Sequence, residues 1–111
     1  MKILDADTYV RRLLDSNGLS DWAVVWGDDR DNAGTCEYTT RTIHLSRPII
    51  AILPEAHRPL FEELAVHEVA HAKTPGDGHG FLWKMWVLLL GGMAREHIPI
   101  LLDKGDDTVV G

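Results

Sequence analysis

The segment His67-Glu68-Val69-Ala70-His71 constrains this chain more than any other feature of its sequence. It lies in a stretch whose apolar residues recur at helical spacing, through Leu60 and Leu64 to the two histidines. At about 100° per residue, His71 lies one turn beyond His67 and about 40° around the helix axis. The fold is therefore expected to contain a helix that directs two neighbouring imidazoles toward one point.

The limits of this helix are marked by prolines and glycines. Pro59 stands where the first turn is predicted, and its missing N–H costs nothing there. After Lys73, residues 74–78 read Thr-Pro-Gly-Asp-Gly, a combination that ends a helix and allows the chain to reverse. We therefore predict a helix over 59–73, followed by a turn that folds the next residues back toward it.

Two histidines one turn apart, with a glutamate after the first, form the arrangement that zinc peptidases use. Glu68 lies about 60° from His71 around the helix, on the same side, so it can approach a reacting water without ligating the metal. Catalytic zinc sites usually take three protein ligands and keep a fourth position open. The pattern predicts His67 and His71 as zinc ligands and Glu68 as the general base.

Two residues compete for the place of third ligand. His79 would lie about 12 Å beyond His71 if the helix continued, but the break at 74–78 can return it to the site. Glu96 is the rival, because thermolysin-like enzymes take a glutamate from a later helix. Gly91-Gly92 should end the next helix before Glu96 is reached. Helix geometry therefore favours His79, with Glu96 as the alternative.

The N-terminal half of the chain has the pattern of one helix and three strands. Apolar residues at helical spacing predict a helix between Asp5 and Gly18, with Asp5 or Asp7 as its N-cap and Asn17-Gly18 as its C-terminal stop. A β-branched and aromatic run predicts a strand over 22–26. Alternating residues then predict strands over 35–39 and 42–46, joined as a hairpin. A small sheet from about Trp22 to Ser46 is expected to pack on the helix that carries the histidines.

A further helix is predicted over 80–90, where Lys84 is the only charge, and we expect it to be buried nearly all round. The tail gives weaker signals: residues 98–102 fit a short strand or an extended cover, and 104–107 are expected to be exposed. The length of 111 residues suits one domain. We therefore predict a single α+β domain over 1–111.

The composition of the chain indicates which binding partners it can have and in which cellular compartment it works. With 11 basic and 17 acidic residues the formal charge is −6, which opposes binding to phosphate backbones, so DNA is not an expected partner. The single cysteine, Cys36, forms no intrachain disulfide, which suits a reducing cytosol. The longest uncharged apolar run, 85–94, is 10 residues, against about 20 needed to cross a bilayer. A cytoplasmic protein without a membrane span is expected.

Four short motifs resemble the SprT-like family of zinc metallopeptidases, which includes the bacterial SprT proteins and the eukaryotic DNA–protein crosslink protease Spartan. They are Gly34-x-Cys36, Ile43-x-Leu45-Ser46, the run from His67 to Ala72, and His79-Gly80-x-x-Trp83. The resemblance implies a minimal zincin-like domain with Zn²⁺ held by His67, His71 and His79. It also implies Glu68 as the catalytic base.

The expected activity is zinc-dependent hydrolysis of peptide bonds in a protein or peptide substrate. Zinc peptidases commonly bind an extended peptide along an edge strand, and the strands over 35–39 and 42–46 are the candidates. Their outward residues are polar, as expected of a strand with an open edge: Thr35, Glu37, Thr42 and His44. The alternative is a non-enzymatic zinc-binding or interaction module that keeps the same site.

The group that would stabilise the developing oxyanion is left open by the sequence. Tyr38, Arg95 and His97 are candidates by their chemistry alone. Trp83 and Trp86 are expected to pack in the core behind the metal helix. Cys36 is interpreted as a small strand hydrophobe, and His57 and His97 as surface or loop groups.

Overall fold

The computed structural model describes residues 1–92, 94–96, 98, 100–101 and 107–108. Four α-helices and five short strands lie in these ranges, so the predicted α+β class is confirmed. In chain order they are α1 (Ile3–Ser16), β1 (Ala23–Gly27), β2 (Gly34–Glu37), β3 (Thr42–Ser46), α2 (Arg47–Ala51), a 3₁₀ turn (Glu55–His57), α3 (Arg58–Lys73), α4 (Phe81–Leu89), β4 (Ile100–Leu101) and β5 (Asp107–Thr108).

The sheet that supports the site has three strands in the order β1-β3-β2. The β2–β3 hairpin is the one predicted, with a turn closed by the Arg41 N–H on the Tyr38 carbonyl at 3.2 Å. Strand β1 pairs with β3 in parallel, a pairing that the sequence analysis does not predict. Because β3 is paired on both sides, the expectation that it leaves an open edge is wrong, and its Thr42 is buried.

The core lies between the sheet, α1 and α3. Helix α1 starts at Ile3 with Lys2 as its N-cap, so the prediction of Asp5 or Asp7 as the N-cap is wrong. Asp5 instead lies in the first turn, where a carboxylate interacts favourably with the helix dipole. The buried side chains of α1 meet those of α3 and β3 in one cluster. The largest fully buried apolar members of that cluster are Leu14, Ile43, Leu45, Ile50, Leu53, Phe61, Leu64 and Ile98. This packing makes α3 the central helix of the fold.

Helix α4 corrects one prediction. It was expected to be buried nearly all round, yet among its residues only Trp83 and Val87 are buried. They pack with Val66 and Ala70 of α3, and the opposite side of α4 is exposed. The exposed apolar residues there are Phe81, Leu82, Met85, Leu88 and Leu89. An all-apolar run has no polar stripe, so its sequence cannot show how many sides find a partner.

The C-terminal part of the described chain forms a two-residue antiparallel pair between β4 and β5. Strand β4 falls within the segment 98–102 that was predicted as a strand or an extended cover. The predictions for His97, Leu102 and residues 104–106 lie outside the described residues. No helix in the described part of the chain is both long and apolar enough to cross a membrane.

Candidate metal centre

The two histidines of α3 and one histidine of the following loop meet at the same point. The loop reverses through two glycines in the left-handed region, Gly76 at φ 83° and Gly78 at φ 59°. Backbone hydrogen bonds hold the reversal, from the Asp77 N–H to the Thr74 carbonyl at 3.2 Å and from the Gly80 N–H to the Asp77 carbonyl at 3.0 Å. His79 is thereby carried back beside α3 instead of continuing along its axis.

The Nε2 atoms of the three histidines form a nearly equilateral triangle. The His67–His71 and His71–His79 separations are 3.2 Å, and the His67–His79 separation is 3.4 Å. Two nitrogens bound to one tetrahedral zinc at about 2.0–2.1 Å lie about 3.3–3.4 Å apart. Within the described residues, these three histidines are the group whose donor atoms fit one metal ion. The donor set and its spacing therefore suit zinc.

Trp83 forms the floor under this triangle. Its ring centroid lies 4.9 Å from that of His67, 5.5 Å from that of His71 and 4.6 Å from that of His79. Its Nε1–H donates to the His67 carbonyl at 3.2 Å, and the side chain is fully buried. Trp86, by contrast, is partly exposed, with the Lys73 ammonium 4.6 Å above its ring. Trp83 therefore occupies the core position that was predicted for it.

Glu68 lies on the sheet side of the triangle and is fully buried. Neither of its carboxylate oxygens has a hydrogen-bond partner among the described residues, and burial raises its pKa well above the ordinary value. An unpaired buried carboxylate is costly, so a group that water or a cation must reach is the simplest reason for it. The orphaned carboxylate thus fits a site that takes a metal and a reacting water.

Gly34 makes room for that carboxylate. A Cβ atom at Gly34 would lie 3.3 Å from Glu68 Oε2, 3.1 Å from Leu64 Cδ1 and 3.2 Å from Leu45 Cδ2. These separations are tighter than ordinary contacts, so a side chain at this position would require the neighbouring side chains to move by a few tenths of an ångström. Gly34 belongs to one of the short sequence motifs, but its contact with Glu68 joins residues 34 positions apart and is seen only in the structure.

A cavity of about 390 Å³ opens in front of the carboxylate. Strand β2 supplies one wall, α3 the second, and the reversing loop the third. The lining residues are Thr35, Cys36, Tyr38, Glu68, His71, Gly76 and Gly78. The cavity therefore lies between residues of β2, the Glu68 carboxylate and one of the three histidines.

Two ionisable groups of this cavity stay neutral near pH 7. Burial, with a smaller effect of the Glu68 carboxylate, raises the pKa of Cys36 to about 12. Burial, followed by Cys36 and Glu68, also raises the pKa of Tyr38 to about 12. The Tyr38 hydroxyl, 3.5 Å from Nδ1 of His71, therefore remains a hydrogen-bond donor. Cys36 is a half-buried strand residue, as expected.

The other candidate residues fall outside the triangle. Arg95 forms a two-point ion pair with Glu63, one turn of α3 before His67, with Nη2 to Oε1 at 2.7 Å. Glu96 Oε1 lies 3.5 Å from Nδ1 of His79, on the far side of that ring from the other two histidines. Of the three oxyanion candidates, Tyr38 lines the cavity, Arg95 does not, and His97 is outside the described residues.

The sequence matches the model of the SprT-like family over residues 6–101. The chain belongs to the SprT-like family. No curated protein matches this SprT-like chain at a significant level. The family assignment agrees with the resemblance carried by the short motifs.

Two solved structures share the fold of this SprT-like chain. The metallopeptidase zymogen jannalysin of Methanocaldococcus jannaschii superposes with a TM-score of 0.62 at 17% identity, covering 74% of this chain and 77% of jannalysin. The metallopeptidase zymogen abylysin of Pyrococcus abyssi gives a TM-score of 0.58 at 18% identity, covering 74% of this chain and 75% of abylysin. The fold of the SprT-like chain is thus that of minimal zincin-like metallopeptidases.

Proposed function

We propose that this protein is a zinc-dependent peptidase with Glu68 as its general base. The observation that carries the proposal is the triangle of Nε2 atoms, 3.2–3.4 Å apart, beside a buried and unpaired carboxylate. Membership of the SprT-like family and the shared metallopeptidase fold support the same chemistry. His67, His71 and His79 would hold one zinc ion per chain.

When bound, zinc supplies Lewis-acid polarisation of the scissile carbonyl and lowers the pKa of a water molecule. Glu68 accepts a proton from the attacking water and delivers it to the leaving amine nitrogen. Its burial raises the pKa of the Glu68 carboxyl, which favours the protonated form and therefore favours uptake of the proton from water. The neutral Tyr38 hydroxyl lines the same cavity and is the donor we assign to the developing oxyanion.

We propose that the substrate backbone lies along the open edge of β2. This strand is at the end of the three-stranded sheet, and its residues line the cavity with Glu68. The Ser46 N–H donates to the Ala33 carbonyl at 2.9 Å, which makes these opposite residues a hydrogen-bonded pair. Because such pairs alternate along antiparallel strands, the amide of Thr35 faces β3, whereas that of Cys36 faces the open edge.

Two proline variants at neighbouring positions test whether the open edge of β2 binds the substrate backbone. Cys36→Pro removes a donor from the open edge, where proline is tolerated, so KM should rise while the melting temperature stays close to that of Cys36→Ala. Thr35→Pro removes a donor inside the sheet and should lower the melting temperature. A Cys36→Pro variant with the KM of Cys36→Ala would contradict backbone binding at this edge.

The peptidase activity itself is tested with casein and a peptide library, each incubated with the zinc-loaded protein. Cleavage should stop with a chelator and return when zinc is added back. Adding single-stranded DNA should not change the rate, because the formal charge of −6 opposes its binding. Zinc binding without any cleavage, with or without DNA, would instead favour a non-enzymatic zinc-binding module.

Two coarser expectations accompany this proposal. We propose that residues 1–111 constitute one domain, which the family match over 6–101 supports. We also propose that the protein works in the cytoplasm, where the lone Cys36 would stay reduced. Fractionation of the source cells and limited proteolysis of the purified chain test these two points.

A further inference from the structure

Among the three histidines of the triangle, His79 is held least by the fold. His67 and His71 project from the centre of α3 and are 2% and 7% exposed. His79 follows a loop that reverses at two glycines, and its side chain is 22% exposed. An imidazole on such a loop needs contacts from other side chains if its Nε2 is to stay on the metal position.

Two side chains supply those contacts from different directions. Trp83 packs edge-on against the ring of His79, with the centroids 4.6 Å apart. The Glu96 carboxylate lies 3.5 Å from its Nδ1, while its Nε2 faces His67 and His71. The ring therefore presents one nitrogen to the metal position and the other to a carboxylate.

We infer that Glu96 is a positioning residue for His79, an inference that rests on the proposed zinc site. Histidine ligands commonly donate their second ring N–H to a carboxylate, which fixes the tautomer and the ring orientation. At 3.5 Å the Glu96 carboxylate is slightly farther from Nδ1 than in an ordinary hydrogen bond, so a shift of a few tenths of an ångström lets it accept the Nδ1–H of His79 and leaves the lone pair of Nε2 for the metal. This role also accounts for Glu96 lying near the site without belonging to the three-histidine group.

The test compares the zinc affinity of variants by competition with a chelator. Loss of such a partner typically weakens metal binding by about 10- to 100-fold, and the 58% exposure of Glu96 places the expected loss for Glu96→Ala near tenfold. Glu96→Gln keeps an oxygen acceptor and should recover most of this affinity. Glu55→Ala, which removes a 66% exposed carboxylate paired with Arg58, is the matched control and should bind zinc like the wild type.

Two further measurements separate positioning from a structural effect and from direct ligation. The metal-free Glu96→Ala protein should melt at the wild-type temperature, and its cobalt-substituted form should show shifted visible absorption bands while still binding one ion. An affinity for zinc equal to that of Glu55→Ala, or a lower melting temperature, would overturn the positioning role. Abolished zinc binding in Glu96→Ala but not in His79→Ala would make Glu96 a ligand and also overturn it.

Zinc binding by the wild-type chain shows whether a negative result concerns the role of Glu96 or the proposed peptidase function as a whole. A wild-type chain that binds no zinc overturns both the proposed peptidase and the role of Glu96. A wild-type chain that binds one zinc, together with an unaffected Glu96→Ala variant, overturns the role of Glu96 alone.

Discussion

Helices α3 and α4 lie against each other, yet their relation to the solvent is the reverse of what their compositions suggest. Helix α3 has 10 of its 16 residues buried, including His67, Glu68 and His71. Helix α4 carries Lys84 as its only charge, and two of its nine residues are buried. Burial therefore follows from the place of a helix between the layers of the fold, and not from its apolar content alone.

The two helices also differ in how much their polar groups lower the stability of the fold. Placing an unpaired carboxylate such as Glu68 in the core opposes folding, since its ionised form loses water without gaining a partner. The dense apolar packing of α3 against α1 and the sheet offsets that cost. The central helix can therefore carry the proposed base and two of the proposed ligands, whereas α4 contributes mainly Trp83 beside the histidine rings.

The largest effect is expected from Glu68→Gln, which tests whether the interior of α3 carries the chemistry. The amide fills the same volume but cannot accept a proton, so kcat should fall by about 10²- to 10⁴-fold. Metal analysis should still find one zinc per chain. Glu62→Gln, a change on the outer side of the same helix, should leave kcat unchanged. Near-normal turnover of Glu68→Gln would show that another group is the base.

The next largest effect is expected when one leucine of α3 and one of α4 are each truncated and the free energies of unfolding are compared. Leu64→Ala opens a cavity in the core and should lower the free energy of unfolding by about 2–5 kcal/mol. Leu88→Ala removes the same atoms from a side chain that is 63% exposed, and the change should stay within about 0.5 kcal/mol. Urea unfolding of both variants measures the difference. Equal losses would mean that the exposed face of α4 is covered in solution.

A smaller effect, on kcat, is expected when the close contact between β2 and α3 at Gly34 is disturbed. Gly34→Ala places a methyl group 3.3 Å from Glu68 Oε2, so the carboxylate must shift by a few tenths of an ångström. Since a misplacement of about 1 Å can cost about 10²-fold in rate, we expect a loss in kcat of about tenfold with zinc content unchanged. Gly27→Ala, which meets no atom within 4 Å, is the control. Equal kcat values for the two variants would show that Gly34 is not needed to position Glu68.

Much of this site could be predicted from the sequence because its signals are local. The spacing of His67 and His71 on one helix turn, and the proline and glycines after Lys73, define a helix followed by a reversal. The structure has both features, and it brings His79 to within 3.4 Å of the other two imidazoles. The β2–β3 hairpin was predictable for the same reason, since its strands and turn are adjacent in the chain.

The features that were missed depend on contacts between distant segments. The parallel pairing of β1 with β3 joins residues that are 19 positions apart, and nothing local specifies it. The position of Glu96 against Nδ1 of His79, and that of Gly34 against Glu68, likewise arise from packing. For α4, the apolar run defined a helix correctly but contained no information on which sides would be covered.

The three-histidine zinc site is tested by diffraction from a crystal of the zinc-loaded protein, with anomalous differences collected at the zinc edge. We predict one anomalous peak per chain, about 2.0–2.1 Å from Nε2 of His67, His71 and His79, with Glu96 on the far side of the His79 ring. A peak ligated by Glu96 in place of His79, or zinc bound away from the three histidines, would contradict this prediction.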